Sequence, residues 1–211
     1  MIAARHTMIG GKPPYDAEVE YLETSAGSGS YTFLPLNATN KHVAMTIDAQ
    51  ILNAPQELLG DVYGFGVANR DARFQAGLDC TFSGFPYAVG MLRNNKMFAR
   101  SGFSRHTFDG DTTTGKAGLD GNLVDVAYGI GVVTIKNFGI FCTCTPTGEL
   151  YHECPFSVRL FSIKLKVENN LTFDVIPVRV GTTGFLYNKV SRKLFGKEHG
   201  VDFVVGPDKQ L

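Results

Sequence analysis

From Val43 to Ile51 the chain alternates without a break: Val43, Met45, Ile47, Ala49 and Ile51 are apolar, and Ala44, Thr46, Asp48 and Gln50 stand between them. A period of two is that of a strand with one buried face. The same period predicts a second long strand over 159–167, with Arg159, Phe161, Ile163, Leu165 and Val167 on one face and Leu160, Ser162, Lys164 and Lys166 on the other. Asn169 and Asn170 predict the turn that follows, because Asn tolerates positive φ, and the next extended run, from Leu171, is predicted to end at the strand-limiting Pro177. Over 62–68, Tyr63, Phe65 and Val67 share one face and Gly64 and Gly66 the other, so a neighbouring backbone or sheet can approach the glycine side closely.

Shorter strands are predicted at 73–78, 87–92, 96–99, 116–119, 123–127, 132–135 and 140–144, with two hydrophobic pieces at 184–188 and 201–205 joined through 193–196. Turn chemistry separates them at Asn94-Asn95, at Asp120-Gly121 and from Pro146 to Gly148. Only 54–59 (APQELL) reads as a turn of helix, with Pro55 where helices accept proline. Strands at this spacing, without amphipathic helices between them, predict a sandwich or barrel. No solenoid period is visible.

The end of the chain runs strand, Asn turn, 173–177 (FDVIP), 184–188 (GFLYN), Leu194-Phe195 and 203–207 (FVVGP). This order resembles the closing segment of a concanavalin A-like, laminin-G-like jelly-roll family common among phage and prophage structural proteins of intestinal bacteria. The opening 15–24 (YDAEVEYLET) is similar to that family's first strand, and 61–78 and 105–124 are similar to two of its hairpins. Two segments depart from it. Residues 30–35 (SYTFLP) lack the acidic group usual there, and Cys142, Thr143 and Cys144 replace a polar loop. The resemblance implies an all-β jelly-roll sandwich of two antiparallel sheets over 15–208, behind an irregular arm at 1–14 that ends in Pro13-Pro14.

With 211 residues, 44% hydrophobic and 24 glycines, the chain suits one β-sandwich domain rich in tight turns. Lys and Arg number 20 and so do Asp and Glu, so no basic field gathers phosphates and nucleic acid is not an expected partner. No window reaches the length of a membrane span, and the first residues lack the apolar core of a secretory signal, so no membrane is expected. A virion component released by lysis needs no such signal. Cys80, Cys142, Cys144 and Cys154 carry no zinc-finger spacing and are read as reduced, buried or half-buried thiols. A Cys142–Cys154 bridge and a soft-metal site with His152 are the alternatives.

Glu18, Glu20 and Glu23 form the acidic group nearest a strand, without the spacing of a glycosidase pair, and read as a solvated edge. The histidines are scattered, without paired neighbours or a triad order. Residues 109–115 (DGDTTTG) read as a hairpin loop lacking the distal Glu of a calcium loop. Laminin-G-like relatives sometimes hold calcium at the rim, but no ligand set for it can be placed in this sequence, and no cofactor is expected. Glycan binding needs polar side chains beside an aromatic face. The candidates are Asn69, Arg70 and Asp71 beside Phe74, and Arg93, Asn94 and Asn95 near Tyr87.

The resulting expectation is a non-enzymatic structural or accessory protein of a phage or prophage particle, on tail or head. Its partners would be other virion proteins and host-surface glycans, with oligomerisation open. The alternative is a secreted or cell-surface carbohydrate-binding module of an intestinal bacterium.

Overall fold

The computed structural model describes residues 13–53, 61–67, 74–79, 87–92, 95–99, 103–125 and 132–210. Along the chain the strands are β1 (Ala17–Glu18), β2 (Leu22–Thr24), β3 (Thr32–Leu34), β4 (Ala38–Lys41), β5 (Val43–Ile51), β6 (Asp61–Val67) and β7 (Phe74–Asp79). They continue as β8 (Tyr87–Leu92), β9 (Asn95–Ala99), β10 (Arg105–Asp111), β11 (Lys116–Leu119), β12 (Asn122–Asp125), β13 (Val133–Ile135) and β14 (Phe138–Ile140). The last are β15 (Cys142–Cys144), β16 (Leu150–Glu153), β17 (Val158–Val167), β18 (Asn170–Val180), β19 (Thr183–Asn188), β20 (Lys193–Phe195) and β21 (Val204–Val205). The predicted helical turn at 54–59 and most of the arm at 1–14 lie outside the described residues.

An 11-stranded antiparallel sheet runs β12-β11-β10-β5-β17-β18-β19-β20, with β1 on β18, β2 on β17 and β21 on β2. An 8-stranded sheet runs β16-β15-β6-β7-β8-β9, with β14 and β3 attached to it. The fold is an all-β sandwich. Its core collects one face of each sheet: Val43, Met45, Ile47, Ala49 and Ile51 from β5, Ile163 and Leu165 from β17, and Phe65 and Val67 from β6 are all buried. Ile47 and Ile163 stand opposite each other across the two central strands. Burying side chains of this size contributes about 1.5–3 kcal/mol each, which fixes the face that each strand turns to the core. Gly64 performs the close approach predicted for it, since a Cβ there would lie 3.0 Å from the Cys154 sulfur and 3.1 Å from the Phe156 ring.

Four local expectations change. The alternation of β17 slips at a bulge between Leu160 and Ser162, so Val158 and Leu160 join Ile163 and Leu165 in the core, and Arg159 and Phe161 leave it. Pro177 does not end β18. Its carbonyl accepts the Val19 amide at 3.1 Å, so its ring nitrogen also faces the N-terminal segment and no bond to β19 is lost. The strand predicted at 140–144 divides at Phe141, whose φ of 58° is left-handed. The turn before β18 is built by Glu168 and Asn169, with φ of 51° and 65°, rather than by the two asparagines. Glu168 is held there by His42, whose amide donates to its carboxylate at 2.8 Å.

Candidate functional site

The solvent face of the large sheet carries the chemistry. Because strand residues alternate, Ala44, Thr46 and Asp48 of β5 point away from the core, as do Thr107, Asp109 and Asp111 of β10 and Lys164 and Lys166 of β17. Register then lays them out in rows: Asp109, Thr46, Lys164 and Asp174 in one, and Lys116, Asp111, Ala44 and Lys166 in the next. Beyond β17 the same face turns apolar, where Ile176, Val178, Tyr187 and Leu194 are buried under Tyr15 and Phe185. The Tyr15 ring meets Tyr187 edge-on at 5.0 Å. Burial, with the Glu18 carboxylate beside it, pushes the Tyr15 phenol up to about 12.

Two hollows open on the polar half. The first, about 420 Å³, is lined by Thr46, Asp109, Asp111, Lys116, Lys164 and Lys166, with Ala44 as part of its floor. Asp109 accepts the Thr46 hydroxyl at 2.7 Å, and Asp111 accepts the Thr113 amide at 2.7 Å. Among the described residues none of the three lysines makes an ion pair.

The second hollow, also about 420 Å³, is lined by Glu20, Asp48, Arg105, Phe161, Ser162 and Lys209 among others. Here each cation has a carboxylate beside it. Arg105 grips Asp48 in a two-pronged pair at 2.7 and 2.6 Å and lies 3.7 Å over the Phe161 ring. Hydrogen bonding to Asp48 outweighs desolvation and raises the guanidinium pKa further. Phe161 meets Tyr21 edge-on at 5.8 Å, Arg159 lies 4.2 Å over Tyr21, and Arg159 Nε donates to Glu23 at 2.8 Å. The β17 bulge makes this stack, because it turns Phe161 outward beside Ser162.

His106 forms a buried clamp between these hollows and the core. Its Nδ1 lies 2.7 Å from Asp120, and the other Asp120 oxygen accepts the Thr107 amide at 2.9 Å, which ties the β11–β12 turn to β10. Burial raises the Asp120 carboxyl, but the Thr107 amide and His106 together outweigh it and hold the group below its usual value. His106 therefore has a partner that reading along the chain did not reveal.

The glycan-contact candidates of the sequence fall elsewhere. Asn69, Arg70, Asp71, Arg93 and Asn94 lie outside the described residues, and Asn95 is the first residue of β9. The flanking strand ends Val67, Phe74, Leu92 and Asn95 are in register across the smaller sheet. Glu23, expected on a solvated edge, is paired with Arg159 on a strand bordered by both β17 and β21. Asp109 and Asp111, expected in a loop, belong to β10 and share its outer face; only Thr112 to Gly115 turn. Their i, i+2 spacing was a visible signal, as was that of Lys164 and Lys166. The cross-strand register that joins the two pairs was not.

Cys142, Cys144 and Cys154 are free and buried, and burial raises all three thiols, to about 12 for Cys144 and Cys154. Cys80 lies outside the described residues. His152 pairs across from Thr143, which puts it on the opposite face of the ladder from Cys142 and Cys144. Among the described residues no group of three His, Cys, Asp or Glu side chains could hold a metal. No helix there is long and apolar enough to cross a membrane. No protein-family model matches this chain, and no curated protein matches it.

Proposed function

We propose that this protein is a non-enzymatic structural or accessory component of a phage or prophage particle, carried on tail or head, whose exposed sheet face takes host-surface glycans. The observation that supports glycan binding is the polar half of the large sheet. There two adjoining hollows of about 420 Å³ each present hydroxyls, carboxylates and cations to solvent. Hollows of about 300–1,000 Å³ with convergent polar groups suit small ligands. Sugar hydroxyls both donate and accept, so mixed acidic and basic linings fit them. The particle assignment and the concanavalin A-like jelly-roll topology draw on the resemblance of the first strand, the hairpins and the closing segment.

Two measurements test this reading. A glycan array probed with a clustered form of the protein should show binding, because display in many copies raises weak affinity by orders of magnitude. Mass spectrometry of purified particles should find the protein among the virion components. Release of reducing sugar from laminarin, mucin or capsular polysaccharide would overturn the non-enzymatic assignment. Array binding without association to particles would move the protein to a secreted or cell-surface role.

A further inference from the structure

The geometry points to the lysine-lined hollow as a site for an anionic sugar residue, its acid group held by Lys116, Lys164 and Lys166 and its hydroxyls by Asp109 and Asp111. This inference rests on the glycan-binding reading and specifies the ligand class. Charge decides between the two hollows. In the second, Arg105 and Asp48 satisfy each other, and Lys209 sits 4.0 Å from Glu18. In the first, three lysines line the hollow without an ion pair among the described residues, while Asp109 accepts the Thr46 hydroxyl from β5 and Asp111 accepts the Thr113 amide of its own turn. Lys164 and Lys166 share β17 and Lys116 reaches the same hollow from β11, and like charges lining one hollow repel and favour an anion between them.

The same lining limits what that anion is. Three lysines against two aspartates leave one positive charge, which suits a ligand with a single acid group and opposes a polyphosphate. Asp109 and Asp111 are acceptors facing the hollow and ask for donors, which sugar hydroxyls supply. The floor is Ala44, the smallest side chain of its row, flanked by Asp111 on β10 and Lys166 on β17. Two strand spacings separate those flanks, about 10 Å, enough to seat one substituted ring between them. Exposed Leu123 forms one apolar wall for the ring's C–H surface.

The test compares sialyllactose, a digalacturonate, 6-sulfolactose and lactose by nuclear magnetic resonance titration of the full chain at low salt. We expect at least one of the acidic sugars to bind ten-fold or more tightly than lactose, to perturb amides of β5, β10 and β17, and to weaken as salt is raised. The sialyl and uronate arms against the sulfo arm tell carboxylate from sulfate. A Lys164→Gln/Lys166→Gln variant, altered only at exposed positions, should lose at least five-fold in acidic-sugar affinity with an unchanged circular dichroism spectrum. Unchanged affinity in that variant overturns the site. Binding of lactose or other neutral glycans without any acidic preference overturns the ligand class and leaves the glycan reading standing. Absence of binding to every glycan, neutral and acidic, on the clustered array overturns both.

Discussion

Two hollows of similar volume share the outer face of one sheet and border the same strands, β5, β10 and β17, yet they treat charge in opposite ways. Around Arg105 every cation is laid against a carboxylate or a ring, and the stack running Asp48, Arg105, Phe161, Tyr21, Arg159 and Glu23 is a closed set of contacts. Around Lys164 the cations converge with no such partners among the described residues. Matched charges hold strands and a bulge in place, whereas unmatched ones remain available to a ligand. Both linings mix cations with carboxylates, and the difference lies in which of them register sets side by side.

The core beneath the strands that both hollows border is where the largest effect is expected. Ile47→Ala or Ile163→Ala removes a fully buried side chain from the facing central pair and should cost about 2–5 kcal/mol in urea unfolding. A cost under about 1 kcal/mol would mean that the two central strands do not share this core. Arg105→Ala should come next, near 1 kcal/mol, because the guanidinium that makes the pair and the ring contact is half exposed. Asp48→Asn should give a smaller loss in the same unfolding assay by weakening the grip on the guanidinium. A loss from Arg105→Ala indistinguishable from that of the lysine variants would erase the contrast between the hollows.

Acid should reveal the clamp behind the lysine hollow, whose wall includes Gly121 next to Asp120. The folded-state carboxyl of Asp120 sits below its ordinary value of 3.8, so its contribution is complete above that value and fades as pH falls through the folded one. Asp208, lowered by Arg179, acts in the same window. Urea unfolding of Asp120→Asn should therefore show less stability than wild type at pH 7 and a shallower decline below pH 4, by less than about 1 kcal/mol given the exposure of the group. Equal acid slopes would remove Asp120 from the account. Lys164→Gln and Lys166→Gln should change stability least, within about 0.5 kcal/mol, and a gain is as admissible as a loss because like charges are relieved.

Much of this was readable along the chain. The clean alternation of β5, the glycines of β6 and the Asp120-Gly121 turn each follow from local chemistry, since period two, absent side chains and positive φ are properties of a segment alone. The sequence by itself determined an all-β chain with a polar and an apolar side to its long strands. Tertiary structure decided which polar residues meet. The β17 bulge reverses the alternation at Phe161, the His42 contacts hold Glu168 in a left-handed turn, and register across β11, β10, β5 and β17 brings Lys116, Asp111 and Lys166 to one hollow from positions as far apart as 111 and 166. Those outcomes depend on the fit of one strand against another, which a periodic pattern does not encode, because a shift of two residues preserves every buried face while changing every neighbour.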